Sequence, residues 1–204
     1  MAVRTILTWP SRALRKISDK ASIEESQDIA VDLYDTLKAN FGLGIAASQV
    51  GIRKRVVVVL SKEIPEFSEE INLEGAIVFV NPRFSTSDSD KVQSQEACLS
   101  VPGIAAVVDR FSGIAVSYEN ISGETLTVDV KGRTACILQH EFDHLDGKLF
   151  IDRLSPIRKT MILKKMKKRN KKLKPPKPES AVKAEQAAKR KKARIKRKRK
   201  SKGS

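Results

Sequence analysis

The chain's 204 residues, 40% of them apolar, are enough for one domain of ordinary size, alone or with an extension. The net charge of +16 is unevenly placed: residues 1–152 hold 16 Lys/Arg against 22 Asp/Glu, a net of −6, and residues 153–204 hold 24 against 2, a net of +22. No apolar run approaches the roughly 20 residues of a membrane helix, and two cysteines exclude a disulfide framework, so a reducing compartment, the cytoplasm, is expected.

The N-terminus, "MAVRTILTWPSRALRKIS", is basic and has no acid before Asp19, as transit peptides do, but it lacks a Ser-rich stretch and the body pattern starts almost at once. "SIEESQDIAVDLYDTLKANFG" predicts a helix. Ser22 is placed to cap it with Glu25 at the capping-box position, Ile29, Leu33 and Leu37 keep helical spacing, and Gly42 marks the stop. "RVVVVL" (55–60) predicts a short buried strand, and "GAIVFVNPRF" (75–84) a second one broken at Pro82. "GIAVSYENISGETLTVDV" (113–130) predicts a hairpin around Ser122-Gly123. "ACILQHEFDHLDG" predicts a helix ending near Gly147.

Strands mixed with helices, without regular alternation, predict an α+β body: mixed or antiparallel strands packed on a central helix that carries His-Glu-x-x-His. Ser155 and Pro156 suit the start of a further helix, whose Ile157, Met161 and Leu163 are candidates to dock on the body. Residues 1–165 are expected to form a catalytic domain. Residues 166–204 are expected to form a basic helical or disordered tail, too charged to bury a core.

The two histidines, His140 and His144, are the only ones in the chain and stand four apart. On a helix they share a face about 6 Å apart along the axis, so both can converge on one ion. Glu141 points elsewhere but can reach a water held there, as a general base does. Catalytic sites of this kind use three protein ligands. Cys136 cannot be the third, because it lies about 12 Å along the axis from His144. The metzincin position ten residues after His140 is Phe150, and the next Glu after His144 is Glu179. The third ligand is therefore expected upstream, and Cys98 in "QEACLSVPG" is the candidate, with Pro102-Gly103 marking a turn beyond it.

Three segments resemble the peptide deformylase family in order: "GLGIAASQ" (42–49), "EACLS" (96–100) and "QHEFDHLDG" (139–147). The resemblance covers roughly residues 4–165, and "LTWPSRALRKIS" is similar to the family's start, which leaves no room for a transit peptide. It implies an α+β fold and removal of the formyl group from the N-terminal formylmethionine of newly made polypeptides. It also implies one divalent metal ion, usually Fe²⁺, with Zn²⁺, Ni²⁺ or Co²⁺ as substitutes. Matching positions imply Cys98, His140 and His144 as ligands, Glu141 as acid/base, Gln49 and the Leu99 N–H as oxyanion donors, and Leu43 and Gly44 as substrate contacts.

Two positions depart from the family pattern. Ala97 replaces Gly before the cysteine, which costs on the order of 1 kcal/mol if that backbone is left-handed and narrows the cleft if it is extended. Ser48 replaces a frequent Pro and is expected to matter little. The family's basic C-terminal helix implies a ribosomal partner, and here the longer tail is expected to bind ribosomal RNA. A monomer is expected. Two other readings fit parts of the sequence: a metalloprotease cutting internal peptide bonds, and an RNA-binding protein with a structural metal.

Overall fold

The computed structural model of the chain describes residues 2–70, 73–86 and 89–173. The chain divides into two compact units, Met1–Thr160 and Met161–Ser204. In the second unit the described residues, 161–173, are helical, and the rest of the expected basic tail, 174–204, lies outside the described residues.

The first helix, α1 (Ile23–Ala39), starts as expected: Ser22 Oγ accepts from the Glu25 N–H at 3.1 Å and Glu25 Oε2 accepts from the Ser22 N–H at 3.0 Å. It also stops at Gly42, as expected. The Gly42 N–H reaches Leu37 O and the Phe41 N–H reaches Lys38 O, both at 3.3 Å, which is the Schellman closure of a helix. Phe41, not Gly42, takes the left-handed position, at φ 53°, a conformation that costs an L residue on the order of 1 kcal/mol. Gly42 is required for space instead, since a Cβ there would stand 2.6 Å from Leu37 Cδ1.

Seven strands follow among the described residues: β1 (Gly44–Ala46), β2 (Val56–Leu60), β3 (Ala76–Ser85), β4 (Lys91–Ala97), β5 (Ala105–Phe111), β6 (Gly113–Glu119) and β7 (Thr125–Lys131). They form an antiparallel sheet in the order β1-β2-β3-β6-β7 and a separate antiparallel pair, β4-β5. The helices α2 (Gly132–Leu145) and α3 (Pro156–Leu173) follow. The expected β6-β7 hairpin turns through Gly123 at φ 88°. The break expected at Pro82 is a bulge rather than an end: the register shifts between Val80 and Arg83, and β3 continues to Ser85. Asn81 sits in that bulge at φ 51° and clasps Ala21, accepting from its N–H at 2.9 Å and donating to its O at 3.0 Å.

The large sheet is covered on both faces, which is why "VVVVL" reads as a continuous apolar run. Val56 and Val58 in β2, with Val78 and Val80 in β3, pack in one cluster with Leu33 and Leu37 of α1. Val57, Val59, Ile77 and Phe79 face the opposite side and pack with Leu138, Phe142 and Leu145 of α2. The body is therefore α+β, with antiparallel strands packed on α2, which carries His140, Glu141 and His144. Ser155 and Pro156 start α3 as expected, but Ile157 is exposed rather than docked.

Candidate active site

α2 follows β7 directly and buries eleven of its fourteen residues, several of them polar. Buried polar groups need partners, and those partners fix the helix in place. The Gln139 amide accepts from the Phe111 N–H at 3.0 Å and donates to Phe111 O at 2.9 Å, tying α2 to the end of β5. Ser48, in the turn after β1, donates its hydroxyl to His144 O at 2.9 Å. The substitution expected to matter little thus joins that turn to the end of α2.

With α2 so held, Cys98, His140 and His144 come together: one ligand atom from each lies within 4.8 Å of the other two, and among the described residues no other group of three does so. Cys98 sits in the turn after β4, where the Val101 N–H donates to Cys98 O at 3.0 Å, and its Sγ is 3.3 Å from His144 Nε2. Gln49 lies in a short turn, Ala47–Val50, after β1. Its Oε1 accepts from the Ala46 N–H at 2.8 Å, and its Nε2 donates to Ser100 Oγ at 3.1 Å and toward Cys98 Sγ at 3.6 Å. Leu43, Gly44, Gln49, Leu99, His140 and Glu141 all line one cleft of about 1320 Å³ with Cys98. Cys136 lines the same cleft but stands outside the ligand cluster, and burial pushes its thiol pKa up.

Behind the cluster lies a chain of charges that the sequence reading did not assign. Glu96 Oε2 is 2.7 Å from His140 Nδ1, and since a carboxylate only accepts, Nδ1 carries the proton and Nε2 is left to face a ligand. Arg110, fully buried, donates to both Glu96 oxygens at 2.7 and 2.8 Å and to Asp143 Oδ2 at 2.6 Å. Arg153 closes the series on Asp143. Two acids and two guanidinium groups alternate, so each charge in this series has an opposite neighbour. The signal was present: Ala106, Val108 and Arg110 share one face of β5, which puts an arginine at a core position.

The same burial produces two opposite carboxyl groups. Burial resists ionisation of Glu96, but hydrogen bonds from Arg110 and His140 hold its pKa down to about 2. Glu141 has no such donors, and burial pushes it up to about 7, with Oε2 buried and without a partner. Burial also pushes the His144 pKa well down, so its ring is the neutral imidazole a metal needs. One thiol, two imidazoles and an adjacent unpartnered carboxyl oxygen fit a three-ligand cation site with one position open. Gly44 fits closely under Glu141: a Cβ there would be 3.0 Å from its Cγ, Cδ and Oε1. Ala97 is an exposed β4 residue paired with Ala105 and is not left-handed, so its methyl only narrows the cleft it lines.

The family model of polypeptide deformylase matches residues 3–160. The peptide deformylase of Erythrobacter litoralis is 38% identical over 190 residues, which cover 82% of this chain and 97% of that one. A peptide deformylase of Xylella fastidiosa is 39% identical over 173 residues, covering 82% and 96%. The crystal structure of a Legionella pneumophila peptide deformylase superposes with a TM-score of 0.71 at 35% identity, over 85% of this chain and 100% of that one. A class I type b peptide deformylase from Acinetobacter baumannii with Met-Ala-Ser bound gives 0.66 at 33%, over 75% and 99%. With a family match that spans the whole ligand cluster, and relatives alike over nearly their full length, this chain belongs to the peptide deformylase family of enzymes.

Proposed function

We propose that this chain hydrolyses the formyl amide at the N-terminal formylmethionine of newly made polypeptides, with Cys98, His140 and His144 holding one divalent cation and Glu141 as the acid/base. The observation that carries this reading is Glu141 itself, a buried carboxyl with a free oxygen beside the ligand cluster, at the wall of an open cleft. Thiolate with two imidazoles suits Fe²⁺ in a reducing cytoplasm, with Zn²⁺, Ni²⁺ or Co²⁺ as substitutes. Such a cation, when bound, supplies Lewis acidity that acidifies water and polarises the formyl group.

The chain's own residues do the rest. A nearby positive charge favours carboxylate, so Glu141 enters ionised, takes a proton as water attacks the formyl carbon, and delivers it to the departing amine. The Gln49 amide, oriented by Ala46 and Ser100, and the Leu99 N–H donate to the formyl oxygen as it gains negative charge, one such donor being worth about 3 kcal/mol. Leu43 and Gly44 lie along the extended peptide. Gly44 pairs with Val59 on one edge of β1, and its other edge is available to a substrate strand. The relative bound to Met-Ala-Ser supports a peptide that begins with methionine.

The test is release of formate from formyl-Met-Ala-Ser by metal-loaded protein. No release, with one equivalent of metal bound, would sink the proposal. Residues 1–165 act as a monomeric catalytic domain in this reading, and the basic residues from 166 onward bind ribosomal RNA where formylated chains emerge. The 24 Lys/Arg of residues 153–204 would make that binding fall steeply with salt. Ribosome co-sedimentation of the full chain and of a chain ending at residue 172, at two salt concentrations, decides it: equal sedimentation removes the idea.

A further inference from the structure

The left-handed residue that closes α1 is usually glycine, and a bulky side chain there is an outlier. Here it is Phe41, and its side chain recovers nothing by packing, being 95% exposed. Strained positions of this kind concentrate where a ligand binds. Among the described residues seven large apolar side chains are exposed, and three of them, Phe41, Leu43 and Val92, line the cleft that holds the ligand cluster. They come from two separate parts of the fold: Phe41 and Leu43 from the link between α1 and β1, and Val92 from β4 in the small sheet. Their place at the cleft does not follow from the need to build a core.

We propose that Phe41, with Leu43 and Val92, forms an apolar rim that selects an apolar side chain at the first or second residue after the methionine of the substrate. This rests on the peptide substrate proposed above. The cleft, about 1320 Å³, exceeds the roughly 300–1,000 Å³ that accommodates one drug-sized ligand, so there is room beyond the methionine. An extended peptide advances about 3.3 Å per residue, which keeps its next two residues within the same cleft. Arg133, the basic residue lining it, is paired with Glu63 at 2.6 Å, so an acidic side chain meets an already matched charge. An apolar one gains contact with the rim.

The test uses the metal-loaded full chain and the peptides Met-Leu-Ser, Met-Ser-Leu and Met-Ser-Ser, with dissociation constants by calorimetry and kcat/KM by formate release from their formylated forms. At one of the two positions Leu is expected to exceed Ser by about tenfold in both measures. In Phe41→Asn the preference should fall toward unity, with a melting temperature no lower than the parent's, because Asn tolerates the left-handed backbone. Equal values for the three peptides in the parent chain, or an undiminished preference in F41N, would overturn the rim. Binding reads the rim independently of turnover: a Leu preference in binding without formate release would support the rim and sink the activity, whereas formate release without preference does the reverse.

Discussion

The Glu96 carboxylate meets His140 Nδ1 at 2.7 Å while Arg110, on its other side, grips both of its oxygens. One buried acid thus fixes the tautomer of a candidate ligand and neutralises an arginine that has no access to solvent. Glu96→Ala removes both effects. It leaves Arg110 short of a counter-charge, expected to cost about 3–5 kcal/mol, and frees the His140 ring, expected to weaken metal binding about 10–100-fold. Glu96→Gln keeps an acceptor for Nδ1–H and should retain more metal than the alanine variant. Urea unfolding and metal titration of both variants measure the two effects separately.

Glu141→Ala should retain the metal, since Glu141 is outside the ligand cluster, and lose about 10²–10⁴-fold in turnover, the usual worth of a general acid/base. Metal content and formate release on the same sample check this. A variant with full metal and near-parental turnover refutes the assignment.

Two glycines should fail in different ways. Gly44→Ala drives a methyl to 3.0 Å from three atoms of Glu141. The carboxyl must shift, so kcat should fall at least about tenfold, by the sensitivity of proton transfer to placement, with melting nearly unchanged. Gly147→Ala places a Cβ 2.6 Å from Arg15 O at φ 69°, and every atom it meets is Arg15 backbone, which cannot swing aside as a side chain can. Its loss should appear in stability, about 2 kcal/mol or more. Thermal melting alongside kcat separates the two.

Acid should loosen the join between the N-terminal segment and the start of α3. Burial raises the pKa of Asp152, but hydrogen bonds from Arg15, Lys159 and the Leu149 N–H lower it overall. A depressed carboxyl contributes stability above its unfolded pKa, near 3.9, and loses it as pH falls through the lower folded value. Asp152→Asn should therefore be less stable than the parent at pH 7, by about 1 kcal/mol for a partly exposed group, and the gap should close as pH falls below about 4. Urea midpoints of both proteins at pH 7, 5 and 3 test the sign.

The readings that held were those resting on local rules. The Ser22–Glu25 capping box, the hairpin at Gly123 and the two-sided burial of β2 each follow from a few neighbouring residues. β4 was not legible, because "KVQSQEA" is mostly polar and exposed, with only Ser94 half-buried and Glu96 buried. It is a strand only because β5 pairs with it along its whole length. At the end of α1 the stop at Gly42 could be read, but the left-handed turn of Phe41 just before it could not, because it follows from the crowding of Gly42 by Leu37 and Leu99. In the candidate site, His140, Glu141 and His144 could be read from helical spacing. The alternation of β5 marks Arg110 as a core position, but its partners Glu96 and Asp143 could not be read, since they lie on β4 and α2 across gaps of 14 and 33 residues.

Cys98 hangs from the turn of the small sheet, whereas His140 and His144 ride on the helix packed against the large one. An ion shared by the three side chains would fasten together two sheets that exchange no strand hydrogen bonds. Stripping it with a chelator would then loosen the β4 wall first, and amide exchange at Gln95–Leu99 would quicken well before β2 and β3 respond.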